Sequence, residues 1–173
     1  MHIAILGNSG SGKSTLARAL GSHLRLTPLD LDALAWEPGQ VAVPRDLAAA
    51  LADVTAACTA REPWVIEGCY AHLIGATLVH RPTLIFLDPG VETCLAHCRA
   101  RPWEPHKYAS KAEQDTKLAF LLDWVRAYDT RQDDMSRHAH QALFEAYAGP
   151  KHHLTAPPEP AFLATLLQPN NPA

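Results

Sequence analysis

The sequence predicts an α/β fold built on a buried parallel sheet, on three observations. The apolar runs His2 to Leu6, Trp64-Val65-Ile66 and Thr83 to Leu87 are continuous instead of alternating, as in strands covered on both faces. Stretches of helical periodicity separate them, the order expected of strand-helix-strand units. Between the first run and the first helix stands Gly7-Asn8-Ser9-Gly10-Ser11-Gly12-Lys13-Ser14-Thr15, which has the GxxxxGK[ST] spacing of a phosphate-binding loop in the strand-to-helix context it requires.

That loop carries the most specific chemistry in the chain. Gly7, Gly10 and Gly12 are expected to take positive φ and turn backbone N-H groups inward, while the next helix aims its positive end at the same point. Lys13 would reach the β- and γ-phosphates of ATP, and the Ser14 hydroxyl would ligate the bridging Mg2+.

In chain order, a helix is expected from Ser14 to about Leu24 and a short strand over Thr27-Pro28-Leu29-Asp30. Asp30 and Asp32 follow where that strand becomes a loop, at the carboxyl edge where α/β sheets bind ligands. One is expected at the magnesium shell and the other at the phosphoryl acceptor, with capping of the next segment as the plainer alternative. Trp36-Glu37-Pro38-Gly39 reads as a turn, and Pro44 as the opening of a helix from about Arg45 to Ala60. Arg45, in that first turn, opposes the helix dipole and is read as a substrate-anion contact or a solvated arginine. Glu67 closes the third strand beside the loop and is a second catalytic carboxylate candidate. Tyr70 either lines the acceptor pocket or packs beneath it.

Asp88-Pro89-Gly90 ends the fourth strand, with Asp88 read as structural. Val91, Cys94, Leu95 and Cys98 share one helical face. Cys94, His97 and Cys98 have zinc-like proximity but lack a clear fourth ligand and are read as packing residues. The segment from Arg99 through Arg101-Pro102-Trp103 to Tyr108 concentrates cations and aromatics around two prolines, as expected of a flap whose Arg99 and Arg101 meet developing charge. Helices are expected over Lys111 to Tyr128 and about Asp133 to Tyr147, the first with Leu118, Leu121, Leu122 and Val125 on one face, the second with Met135, Ala139, Ala142, Leu143 and Ala146. Arg126, Arg131 and Arg137 are further candidates to face the γ-phosphate. A last strand over His152-His153-Leu154-Thr155 and a closing helix from Pro160 to Leu167 complete the pattern.

A chain of 173 residues suits one domain, 1–173, with an acceptor-binding insertion about 31–61 and a flap about 99–111. Fifteen Lys and Arg against eighteen Asp and Glu leave a net charge of −3, which argues against a nucleic-acid partner. No apolar run has the length of a membrane span and the N-terminus enters a strand directly, so the expected location is cytoplasmic. The four cysteines lack the spacing of a disulfide framework.

From Met1 to about Thr155 the arrangement resembles the small P-loop kinases, the group that contains adenylate, shikimate and gluconate kinases. The loop and Asp30-Leu31-Asp32 are similar to shikimate kinase, where the first acid serves magnesium and the second binds the acceptor hydroxyl; Arg101-Pro102 resembles the start of its flap. Glu67-Gly68-Cys69-Tyr70 stands where that family has three glycines, and Trp36-Glu37-Pro38-Gly39 where it has Phe-Arg. These segments look closer to the topology modulation proteins, which carry Asp-Gly-Asn-Tyr in place of Glu-Gly-Cys-Tyr. The resemblance implies a three-layer fold with five parallel strands ordered 2-3-1-4-5. The expected function is ATP-dependent phosphoryl transfer to a small-molecule acceptor. A regulatory ATPase without an acceptor is the alternative.

Overall fold

The computed structural model describes residues 1–37, 43–60, 63–104 and 109–156. Its elements run β1 (His2–Leu6), α1 (Lys13–Leu24), β2 (Thr27–Asp30), α2 (Asp32–Ala35), α3 (Leu47–Ala60), β3 (Trp64–Gly68) and α4 (Ala71–Thr77). There follow β4 (Thr83–Leu87), α5 (Val91–Ala100), α6 (Lys111–Arg126), α7 (Arg137–Ala146) and β5 (Lys151–Leu154). The strands form one parallel sheet in the order β2-β3-β1-β4-β5. No described helix is long and apolar enough to cross a membrane.

Strand alternation divides the core into two faces. Ile3, Ile5, Val65, Ile85 and Leu87 point to the side covered by Leu16, Ala17 and Leu20 of α1. Ala4, Leu6, Ile66 and Leu84 point to the opposite side, against Ala50, Val54 and Cys58 of α3 and Leu73 and Ile74 of α4. Because both faces are covered, the central strands read as unbroken apolar runs. A smaller cluster joins Cys94, Leu95 and Cys98 of α5 to Val125 of α6.

β1 sits between β3 and β4, so the phosphate-binding loop leaves the sheet at its centre, beside the carboxyl ends of both neighbours. Its glycines act differently. Gly10 and Gly12 have φ of 78° and 99°, and Gly12 caps α1. Gly7 is not among the positive-φ glycines; what requires it is crowding, since a Cβ there would lie 2.3 Å from the Leu87 carbonyl oxygen.

Several boundaries differ from the sequence pattern, each for a local polar reason. α3 begins at Leu47, not Arg45, because the Asp46 carboxylate accepts the Ala49 N-H at 3.0 Å, and Pro44 instead pairs with Trp36 in an isolated bridge. α7 begins at Arg137, because Ser136 accepts the Ala139 N-H at 3.1 Å. Its buried residue is His140, while Ala142 and Ala146 are exposed. β3 continues through Glu67 and Gly68, and α2 and α4 have no counterpart in the expected pattern. The expected closing helix, Pro38 to Ala42 of the insertion, and Pro105 to Tyr108 of the flap lie outside the described residues.

Gly7→Ala should destabilise the fold by roughly 1–3 kcal/mol, since relieving the contact requires moving β1 against the β4 backbone. A urea-unfolding midpoint equal to wild type would show that the loop has room to shift.

Candidate functional site

At the carboxyl edge of the sheet lies a cleft of about 740 Å3, lined by the phosphate-binding loop and first turns of α1, by Asp30, Asp32, Glu67 and Cys69, and by the flap residues Arg101, Trp103 and Glu104. Its volume is that of a small-molecule site.

Lys13 occupies the centre. Its side chain is buried, and Nζ donates to the Asn8 carbonyl oxygen at 2.9 Å and to Cys69 Sγ at 3.4 Å. Burial disfavours its charge, but Cys69, Glu67 and Asp32 outweigh that effect and hold its pKa above the ordinary lysine value. The ammonium is therefore charged at neutral pH. Around it, Asn8 donates from its side chain to the Val125 carbonyl oxygen at 3.2 Å and accepts the Ser9 N-H at 2.9 Å. Ser9 Oγ lies 3.7 Å from Cys69 Sγ. Ser11 is buried with no hydrogen-bond partner for Oγ among the described residues, whereas Ser14 and Thr15 are exposed and line the cleft.

Two strand ends bring the carboxylates to this point. The Leu31 N-H donates to the Glu67 carbonyl oxygen at 2.9 Å, tying the end of β2 to β3. Asp30 Oδ1 accepts the Asp32 N-H at 2.9 Å, and Asp32 Oδ1 accepts the Tyr70 hydroxyl at 2.8 Å. Burial and the Asp32 charge push the Tyr70 phenol well above its usual range, so it remains a donor. Glu67 is 4% exposed and faces the cleft.

The sequence-derived cations separate. Arg101 lines the cleft and lies 3.3 Å from Glu104, whereas Arg99 is exposed on α5 and is not a lining residue. Arg45 is turned into its own insertion, with Nη2 2.7 Å from Asp53 and Nη1 donating to the Leu34 carbonyl oxygen at 3.1 Å. Arg126 pairs with Asp123 at 2.6 Å, Arg131 stacks on Trp124 at 4.0 Å, and Arg137 pairs with buried Asp88 at 2.6 Å. None of these three lines the cleft.

His140 went unread in the sequence, and His97, read there as a packing residue with Cys94 and Cys98, is exposed and serves the site instead. His97 Nδ1 donates to the Gly10 carbonyl oxygen at 2.8 Å, fastening α5 to the crest of the loop. His140, fully buried, donates from Nε2 to the Cys69 carbonyl oxygen at 2.6 Å, which leaves Nδ1 to accept the Tyr128 hydroxyl at 2.8 Å. Burial lowers its pKa to about 4, so the ring is neutral at pH 7. No periodicity marks such residues; the only sequence cue was a histidine amid the apolar positions of a helix.

Solved structures decide the fold. The shikimate kinase from Aquifex aeolicus matches with a TM-score of 0.53 at 16% identity over 96% of this chain and 94% of that one. The chain has the small P-loop kinase fold. The same kinase fold is shared with the shikimate kinase from Bacteroides thetaiotaomicron, with a TM-score of 0.53 at 16% identity over 95% and 93% of the two chains. A sugar kinase from Janibacter sp. HTCC2649 gives a TM-score of 0.51 at 17% identity over 95% and 90%. No protein-family model and no curated protein sequence matches the chain. Against this kinase fold the strand order is that expected, and Glu67, Cys69 and Tyr70 of the β3 end fall on or beside the cleft.

The His140 bridge carries a pH dependence. With a pKa of about 4 folded and 6.5 as the ordinary value, the unfolded chain binds the proton first as pH falls. The contribution is intact above pH 6.5 and is lost toward pH 4, a loss of up to about 3 kcal/mol. Unfolding free energies measured by urea at pH 7.5 and 5 should fall more for wild type than for His140→Gln; equal falls would remove His140 as the source.

Proposed function

We propose that the chain is a kinase that transfers the γ-phosphoryl group of ATP to a hydroxyl of a small-molecule acceptor, its residues 1–173 acting as one domain. The observation that carries this reading is the buried, charged Lys13 set in a glycine-shaped loop and faced by Glu67 and Asp32 across an open cleft. Such an ammonium supports a polyphosphate, and carboxylates beside it support proton removal from a hydroxyl nucleophile.

The amides of Gly7 through Thr15 and Lys13 hold the triphosphate. Among the described residues, no three His, Cys, Asp or Glu side chains converge on one point. Ser14 and Asp30 line the cleft, and their hydroxyl and carboxylate oxygens suit Mg2+, a hard cation that takes few protein ligands. Ser14 and Asp30 would hold that ion, which supplies charge neutralisation and alignment of the phosphate oxygens. Asp32, oriented by Tyr70, binds the acceptor hydroxyl and takes its proton; Glu67 stands close enough to Lys13 to raise its pKa and shares that task. Arg101 meets the charge that develops on the transferring group, and Arg99 joins it when the flap closes on substrates. Arg45 supports the substrate side indirectly, by fixing the insertion through Leu34 and Asp53. The described helices contain no membrane span, in keeping with action in the cytoplasm on soluble metabolites.

Lys13→Ala should lose ATP turnover by roughly 100-fold or more, read by coupled ADP release, and bind ATP more weakly by calorimetry. Wild-type binding and turnover in that variant would overturn the site. Arg101→Ala should lower kcat by roughly 100-fold with little change in ATP affinity. An unchanged kcat would assign the transition-state charge to another residue.

A further inference from the structure

We propose that Trp103 is the platform on which the base of the nucleotide stacks, so that the root of the flap recognises the nucleoside end of the molecule whose phosphates the loop holds. This rests on the phosphotransferase reading and extends it to the half of the nucleotide that reading leaves unassigned.

The polar and apolar parts of the cleft come from different elements. The phosphate-binding loop brings backbone amides and Lys13, and the ends of β2 and β3 bring Asp30, Asp32 and Glu67. A nucleobase is flat and largely apolar on its two faces, so it needs a surface of another kind. The exposed apolar residues that line the cleft are Ala19 of α1 and, where α5 passes into the flap, Ala100, Pro102 and Trp103. Trp103 is the only aromatic residue among the described lining residues, and it is 45% exposed. Val79 and Phe120 are more exposed still, but neither lines the cleft. What sets Trp103 apart is that its open surface belongs to the cavity that holds the phosphate-binding loop.

The backbone of that residue is held from behind. The side-chain amide of Gln114 on α6 is buried; Nε2 donates to the Pro102 carbonyl oxygen at 3.1 Å, and Oε1 accepts the Glu104 N-H at 2.9 Å. One amide thus clamps the residue before the indole and the residue after it. A surface ordered in advance loses less entropy on binding than a free loop does. The sheet order selects the nucleoside end as its ligand. In β2-β3-β1-β4-β5 the three carboxylates stand on one side of β1, whereas α5 follows β4 on the other. There α5 is fastened to the loop, with His97 bonded to the Gly10 carbonyl oxygen at 2.8 Å and the Cys94 carbonyl oxygen 2.4 Å from where a Gly10 Cβ would lie. With the transferred phosphate between Lys13 and the carboxylates, the rest of the nucleotide extends away from them, toward the end of α5. Every base has a π face, so stacking at Trp103 accepts either purine.

The test measures binding and needs no acceptor. The full chain as wild type, Trp103→Ala and Trp103→Phe is titrated by calorimetry with Mg2+ present, once with a non-hydrolysable ATP analogue and once with inorganic tripolyphosphate, which has the phosphates and no base. Trp103→Ala should bind the analogue at least about fivefold more weakly and tripolyphosphate as wild type does, while Trp103→Phe recovers most of the loss. Gln114→Met, which keeps the reach of the side chain and removes both of its bonds, should weaken the analogue alone, and adding it to Trp103→Ala should cause little further loss. Unchanged affinity of Trp103→Ala for the analogue overturns the proposal. An equal loss for tripolyphosphate overturns it too, because the effect would then lie in the phosphates. Fully additive losses in the double variant would remove Gln114 as the group that holds the indole. A wild-type chain that binds neither ligand would instead strike the phosphotransferase reading itself.

Discussion

A buried ammonium is the constraint on which this structure turns. Lys13 lies almost out of reach of solvent at the centre of the carboxyl edge, and an isolated charge there would neutralise or force the site open. It stays charged because Asn8, Cys69, Glu67 and Asp32 surround it with acceptor atoms and negative potential. These groups come from the loop, from β3 and from the segment after β2. The sheet order that sets β3 directly beside β1 is therefore a condition for the charge as much as for the core. The same arrangement gives the proposed nucleotide and acceptor sites a common wall.

The environment of Lys13 is in turn held from a distance. Asn8 is anchored to Val125 of α6, and the Cys69 carbonyl is anchored to His140 of α7, itself bonded to Tyr128 between those helices. Gly10 is anchored to His97 on α5, and a Cβ at Gly10 would lie 2.4 Å from the Cys94 carbonyl oxygen. The C-terminal helices thus act as a brace under the loop, and α5, which leads directly into the flap, touches the loop that the flap would cover. Neutral hydrogen bonds suit this brace, because a charged His140 near Lys13 would oppose the charge the site needs.

What was legible in the residues was whatever is written in local pattern. The unbroken runs of β1, β3 and β4 reflect coverage on both faces, and the glycine-rich loop reflects backbone geometry that few other residues permit. The bounds of β2 were equally clear, since Pro28 and Asp30 punctuate it. Legibility failed where a single long-range contact decides. The face expected for α7 was right in Met135 and Leu143, which pack on the core, but Ala142 and Ala146 face solvent and the buried residue is a histidine bonded to a carbonyl 71 residues away. α4 is short, and its Leu73 and Ile74 form no period long enough to register. Gly7 was assigned a positive φ when its role is clearance from Leu87, a contact across strands that spacing cannot express. Arg45 was visible as a cation, but not its partner Asp53, two turns along a helix whose start lay elsewhere.

The same distinction explains why the proposed nucleotide half of the cleft is easier to read than the proposed acceptor half. The proposed phosphate recognition would use backbone amides and one lysine, and both belong to a contiguous nine-residue stretch. The proposed acceptor recognition would use side chains from the ends of β2 and β3 and from the residues after them, brought together by the parallel register that places Asp30 opposite Glu67. Each acid alone could cap a turn or face water. Set side by side next to a lysine, they form one wall of the cleft. That grouping is a property of the sheet register, and any chemistry at the cleft depends on it more closely than on the fold.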